Sequence, residues 1–108
     1  MSSRSLELKR IEKLKKSAYK SKDNKELINL SLYAADLYIA NGEFENAKEQ
    51  LTESIQISES FRKFSDLLPS IYRKLSDCLI EMGDFNESIE FCEKSLKSIE
   101  DTDIVDDK

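Results

Sequence analysis

Apolar residues recur at steps of three and four along most of the chain, which is the period of an amphipathic α-helix. The first stripe consists of Leu8, Ile11, Leu14 and Ala18, and it predicts a helix over residues 4–20. No segment shows a competing strand pattern. The connections between the helical stripes are short, which favours antiparallel neighbours. The pattern therefore predicts an all-α fold of about five antiparallel helices.

Local signals predict the bounds of the second and third helices. Asp23 and Glu26 have the spacing of a capping box, so the second helix begins after Asp23. It ends at Asn41-Gly42, since both residues tolerate a left-handed conformation. The third helix covers 44–60, and a connection follows over 61–65.

The fourth and fifth helices carry similar signals. We expect Asp66 to cap the fourth helix, because Pro69 then lies in the first turn, where its missing N–H removes no hydrogen bond. Gly83 ends this helix. Asp84 caps the fifth helix, which we expect to run to about Ile99.

The chain matches itself after a shift of 41 residues. The shift aligns the two glycines, Gly42 with Gly83, and the aromatic residue two positions after each of them. A repeated helical hairpin of this length is typical of an α-solenoid. The identical pairs are Asp36/Asp77, Ile39/Ile80, Gly42/Gly83, Phe44/Phe85, Glu49/Glu90, Ser54/Ser95 and Glu59/Glu100.

Residues 38–55 and 79–96 each resemble a tetratricopeptide repeat. The resemblance implies a right-handed solenoid in which each glycine makes the turn, each phenylalanine packs between the helices of its hairpin, and small residues allow close crossing. The predicted packing residues are Tyr38, Gly42, Phe44, Ala47, Leu51, Leu79, Gly83, Phe85, Ser88 and Cys92. The second copy has serine at 88 and 95 where alanine is usual, and neither copy has the usual final proline. The period of 41 exceeds the common 34, as in the long-helix kinesin light chain and spindle-orientation groups.

The predicted organisation is one tetratricopeptide-like helical domain over residues 1–100, followed by an acidic flexible tail over 101–108. Within the domain, 1–22 is a basic N-terminal helix, 23–60 the first hairpin and 64–100 the second hairpin.

Repeat geometry in this family places a binding surface on the first helix of each hairpin. The same position holds Asp36 and Asp77, and an acid in both copies is not explained by core packing. One interpretation is that both carboxylates receive Lys or Arg from a partner with a basic or amphipathic segment; the other is that they only keep the groove hydrated. The predicted groove residues are Asn29, Leu32, Asp36, Ile39, Ser70, Arg73, Asp77, Ile80 and Glu81.

The fifth helix carries an apolar set without an evident cover, and it includes Ile89, Cys92, Leu96 and Ile99. The last helix of a solenoid normally needs a polar outer side or a cap. We therefore expect further repeats or another chain on this side.

Composition argues against catalysis. The 108 residues contain no histidine, and the two glycines are too far apart for a phosphate loop. Cys78 and Cys92 do not have zinc-ligand spacing and fit a reducing compartment. No apolar run approaches the roughly 20 residues of a bilayer span. We expect a non-catalytic protein with no cofactor, no metal and no membrane span.

Positive charge is concentrated at the N-terminal side. Residues 1–25 hold nine Lys/Arg and three acids, although the whole chain has a net charge of −5. A basic helix can contact nucleic acid, but only Tyr19 offers an aromatic ring for stacking. The alternative, which we favour, is a helix that covers the apolar side of the second one, and we expect no direct nucleic-acid binding.

A narrower resemblance covers most of residues 7–95. Glu7-Leu8, the basic helix and Asn41-Gly42 have the intervals found at the start of Tonsoku-like proteins, and 72–85 shares the Arg-Lys, Leu79 and Glu-Met-x-Asp elements. This implies a nuclear scaffold in replication-coupled chromatin assembly or DNA repair. That family also has ankyrin repeats, an acidic region and leucine-rich repeats, which these residues lack, so its histone-tail reading is not carried over. We expect the N-terminal piece of a longer protein or a reduced relative. The alternative is a cytoplasmic adaptor of the kinesin light chain or spindle-orientation type.

Overall fold

Five α-helices and a short 3-10 helix account for nearly all of the chain that the structure describes. The computed structural model describes the backbone of residues 3–106 and the side chains of 3–100. The predicted all-α fold of helical hairpins is confirmed. The helices are α1 (Ser3–Ser21), α2 (Asn24–Ala40), α3 (Phe44–Ser60), the 3-10 helix (Arg62–Leu67), α4 (Leu68–Met82) and α5 (Phe85–Asp106).

The two hairpins consist of α2 with α3 and of α4 with α5, and α3 packs against α4 to join them. Gly42 and Gly83 make the two tight turns, with φ of 76° and 83°. Glycine suits both positions because a side chain is strained at such positive φ values. At the start of α2, the Asp23 side chain accepts a hydrogen bond from the backbone N–H of Glu26, as the capping-box spacing predicts.

The core has two parts. The larger part lies within and between the hairpins, and its residues least accessible to solvent are Ile28, Ala35, Ala47, Leu51, Ile71, Leu75 and Leu79. The smaller part lies between α1 and α2, and it consists of Ile11, Ala18, Leu27, Leu30 and Ala34. The basic first helix therefore covers the apolar side of the second, as the favoured alternative proposes.

The inward stripe of α1 differs from the prediction at one turn. Leu14 is 44% exposed, whereas Lys15 is buried. The Lys15 ammonium lies 2.9 Å from a carboxylate oxygen of Glu53 and 3.1 Å from Gln50 Oε1. The inward position is tolerated by lysine because both polar partners on α3 meet its charged end.

The start of α4 also differs. The expectation that Asp66 caps this helix is wrong, since Asp66 lies inside the 3-10 helix and α4 begins at Leu68. Phe64 is buried in the larger core, and its ring makes an edge contact with the Phe61 ring. Burial of Phe64 therefore accounts for an ordered turn where the sequence predicts an irregular connection. Pro69 does lie in the first turn of α4.

The fifth helix is longer than predicted. It continues to Asp106, so residues 101–106 of the expected flexible tail are helical. The physical reason is that neither glycine nor proline follows Glu100 to stop the helix. Residues 107 and 108 of that predicted tail lie outside the described residues.

Candidate interaction groove

A cavity of about 580 Å³ lies between the outer sides of α4 and α5. We call it the α4–α5 groove. From α4 it is lined by Pro69, Ser70, Arg73, Ser76, Asp77 and Ile80, and from α5 by Cys92, Ser95, Leu96 and Ile99. The groove combines an aliphatic floor with one cation and one carboxylate, which is a combination suited to an amphipathic protein segment.

The aliphatic floor is exposed because no described helix covers it. Leu51 and Ile55 of α3 are 0% and 6% exposed, and they belong to the larger core together with residues of α4. Their equivalents after the 41-residue shift are Cys92, which is exposed, and Leu96, which is 59% exposed. Equivalent positions are therefore buried between helices in the first hairpin and exposed to solvent in the second.

Two of the predicted packing residues of the second hairpin are exposed. Phe85 is 61% exposed, so the expectation that it packs between two helices is wrong, and Cys92 is exposed as well. Phe44, the equivalent of Phe85, does pack against the larger core. The difference arises because α4 follows the first hairpin and covers it, whereas no described helix follows α5.

The second-repeat half of the predicted binding surface lies mainly in the groove. Ser70, Arg73, Asp77 and Ile80 all line it, and Ile80 is 48% exposed. Glu81 is exposed but does not line the cavity. Asp77 makes no ion pair with any side chain that the structure describes.

The first-repeat half has a different environment. Asn29 is exposed, but Leu32 and Ile39 are half-buried against the larger core. The Asp36 carboxylate lies 2.6 Å from the ammonium of Lys74 on α4. At Asp36, the cation that the sequence predicts on a partner is therefore supplied by Lys74 of the neighbouring hairpin.

Comparison with known proteins follows the same division of the chain. A family model described as tetratricopeptide repeat matches residues 34–61 and 69–102, which together exceed half of the chain. The chain belongs to the tetratricopeptide repeat family. A search of curated proteins and a search of solved structures return no match. Tetratricopeptide repeats are generally non-catalytic protein-interaction modules, and their presence supports a protein-interaction scaffold. None of the described helices is both long and apolar enough to cross a membrane.

The two tetratricopeptide hairpins use different small residues where their helices cross. The first has Ala35 and Ala47, both fully buried. The equivalent residues of the second are Ser76 and Ser88, whose hydroxyl oxygens lie 2.8 Å apart. Each hydroxyl also lies 2.9 Å from the backbone carbonyl oxygen of the other residue. The serine at 88, where alanine is usual in the family pattern, is therefore accommodated by hydrogen bonds within the hairpin.

The α1 helix is fastened to the first tetratricopeptide hairpin by a polar cluster that the sequence does not predict. Besides Lys15, the Glu53 carboxylate accepts hydrogen bonds from the hydroxyls of Tyr19 and Ser31. Burial, followed by the contact with Glu53, raises the pKa of Tyr19 from 10.0 to about 12. The sequence does contain one signal for this cluster. Lys15 lies four residues after Ile11 and three before Ala18, which also fits the buried side of the helix, whereas the prediction placed Leu14 there.

Two side chains of α4 make direct polar contacts with α3. The Tyr72 hydroxyl donates to a carboxylate oxygen of Glu59, and burial together with this carboxylate raises the pKa of Tyr72 well above its ordinary value. Cys78 Sγ lies 3.3 Å from the backbone carbonyl oxygen of Phe44, and burial raises the pKa of the Cys78 thiol. Cys92 is thus the accessible cysteine of the two.

Proposed function

We propose that this chain is a non-catalytic scaffold that binds a protein partner with a basic or amphipathic segment at the α4–α5 groove. The observation that supports this is the junction, in one cavity, of Arg73, Asp77 and Ile80 with the exposed aliphatic residues Leu96 and Ile99. An exposed apolar surface rimmed by polar residues is typical of protein-interaction sites.

The groove is tested by comparing the same leucine-to-aspartate substitution at two exposed positions. Leu96→Asp puts a charge into the groove, whereas Leu14→Asp puts the same charge on the outer side of α1. We expect partner capture from cell extract to be lost with Leu96→Asp and retained with Leu14→Asp, while the helical circular dichroism of both variants stays at the wild-type level. Capture that survives Leu96→Asp contradicts the proposal.

For the cellular context, we propose replication-coupled chromatin assembly or DNA repair in the nucleus, as in Tonsoku-like proteins. The support is the resemblance over most of residues 7–95, including Asn41-Gly42 and the Arg-Lys and Glu-Met-x-Asp elements of 72–85. The alternative is an adaptor of the kinesin light chain or spindle-orientation type, which the long repeat period favours.

Mass spectrometry of the Leu96-dependent partners separates these contexts. Recovery of replication and histone-chaperone factors supports the first, and recovery of motor or cortical proteins supports the second. Nucleic-acid binding is tested separately, by measuring duplex DNA binding of the intact chain across a salt series. We expect no salt-dependent binding, because α1 is packed on α2 and one of its lysines faces Glu53.

A further inference from the structure

The α4–α5 groove has a counterpart within the molecule that is already filled. α4 lies against α3, and Leu51 and Ile55 of α3 are buried in the core they share with Ile71 and Leu75 of α4. The groove presents the equivalent surface of α5 one repeat later. The way in which α4 covers the first hairpin therefore indicates which kind of element fits the second.

Two side-chain contacts fix the register of α4 on the first hairpin. The Lys74 ammonium lies 2.6 Å from a carboxylate oxygen of Asp36 on α2. Two residues earlier, the Tyr72 hydroxyl donates to a carboxylate oxygen of Glu59 on α3. An acid on each helix of the hairpin thus receives a donor from the helix that covers it.

Both acids recur one repeat later. Asp77 occupies the position of Asp36, and Glu100 occupies the position of Glu59. Both residues are exposed, and Asp77 and Glu100 have no ion pair with the side chains of residues 3–100. The second hairpin therefore offers the same two acceptors beside the same apolar surface, and none of the described helices uses them.

From this equivalence, and resting on the proposed scaffold function, we infer that the α4–α5 groove binds an amphipathic helix of a partner protein in the register that α4 adopts on the first hairpin. The bound helix places aliphatic residues on Leu96 and Ile99 and a lysine on Asp77. Two residues before that lysine, a hydroxyl donor faces Glu100. The charge of Asp77 selects the register, and the aliphatic contacts supply most of the affinity.

The α4 sequence itself is the probe for this inference. A fluorescent peptide of residues 68–82, with Cys78→Ala to prevent oxidation, is titrated into the intact chain and followed by anisotropy. We expect saturable binding. Asp77→Lys in the chain lowers the affinity about 5- to 10-fold, since it replaces a partly exposed ion pair by a like-charge contact. The same peptide with Lys74→Asp recovers affinity on the Asp77→Lys variant and loses it on the wild type.

Cysteine alkylation with iodoacetamide locates the bound peptide. Cys92 lines the groove and is exposed, whereas Cys78 of α4 is buried where this helix packs on α3. We expect the peptide to slow alkylation of Cys92 and to leave Cys78 protected. Alkylation of Cys78 in the presence of peptide contradicts the inference, because it means that the peptide has displaced α4 instead of docking beside it. Leu96→Asp abolishes peptide binding, and Leu14→Asp, on α1, leaves it unchanged.

Two further outcomes overturn the inference without affecting the scaffold function. One is peptide binding that ignores the charge exchange between Asp77 and Lys74, while partner capture still depends on Leu96. The other is concentration-dependent dimerisation in sedimentation velocity that Leu96→Asp abolishes, which makes a second copy the occupant. Capture that does not depend on Leu96 contradicts the proposed function itself.

Discussion

The outer surfaces of α3 and α5 come from equivalent positions of the same repeat, yet one is a core and the other an open groove. Ile55 is 6% exposed and Leu96 is 59% exposed, although the shift of 41 residues aligns them. The difference is the neighbour, since α4 covers α3 and no described helix covers α5. The comparison teaches that a solenoid residue acquires its role from the next helix as much as from its own repeat.

The largest expected effect is a difference in the free energy of unfolding between a substitution on the α3 surface and one on the α5 surface. Ile55→Ala should lower the free energy of unfolding by about 2–5 kcal/mol, because it removes buried methyl groups from a packed core. Leu96→Ala should change it by less than about 0.5 kcal/mol, since the side chain is exposed. Urea denaturation followed by circular dichroism measures both. Equal losses for the two variants mean that the α5 surface is covered in solution, which breaks the comparison.

A second prediction concerns the turns, where the two hairpins are alike. Gly42→Ala and Gly83→Ala should each destabilise by roughly 1–2 kcal/mol, because a side chain is strained at positive φ. No neighbouring atom lies within 4 Å of a Cβ at either position, so the effect is one of backbone conformation. Asparagine tolerates this conformation better than alanine, so the Gly→Asn variants serve as controls and should lose less. A loss confined to one turn contradicts the equivalence of the hairpins.

A third, smaller effect tests the crossing residues. Ser76→Ala or Ser88→Ala alone should cost about 1 kcal/mol, because the remaining buried hydroxyl loses one of its two hydrogen-bond partners. The double variant recreates the Ala35 and Ala47 pair of the first hairpin and should lose no more than either single variant. A double-mutant cycle from thermal unfolding measures this coupling. Strictly additive losses indicate that the two hydroxyls do not act as a pair.

The smallest effect belongs to the acids. Asp36→Asn should lower stability by at most about 1 kcal/mol, since its ion pair with Lys74 is partly exposed. Asp77→Asn should leave stability unchanged, because Asp77 lacks an ion pair with the described side chains. The difference between the two variants should shrink in high salt as the pair is screened. A larger loss for Asp77→Asn assigns that acid a role in folding and contradicts its place in the groove.

Sequence pattern was sufficient for the elements that depend on local signals. The helical period, the capping box at Asp23 and the glycines at 42 and 83 predict the hairpins, and the 41-residue repeat predicts their stacking. The pattern predicts less where a single helix meets a specific neighbour. Lys15 turns inward because Gln50 and Glu53, far along the chain, lie within hydrogen-bond distance.

The candidate groove shows the same limit. Four of its predicted residues on α4 line the cavity, because each hairpin repeats the same geometry. The roles of Phe85 and Cys92 were wrong, since a family pattern describes a repeat that has a following neighbour. The repeat pattern also does not predict the pairing of Asp36 with Lys74, because the equivalent of Lys74 one repeat earlier is Tyr33.

The polar cluster at Glu53 has a consequence for the basic helix. A single carboxylate on α3 receives side chains from both α1 and α2, so the azimuth of α1 about its own axis is fixed. The exposed lysines on the outer side of α1, among them Lys9, Lys13 and Lys16, are therefore held at fixed positions relative to the first hairpin. Acidic side chains of a protein partner that approach this side of the molecule therefore meet cations in fixed positions, and no flexible segment has to be ordered first.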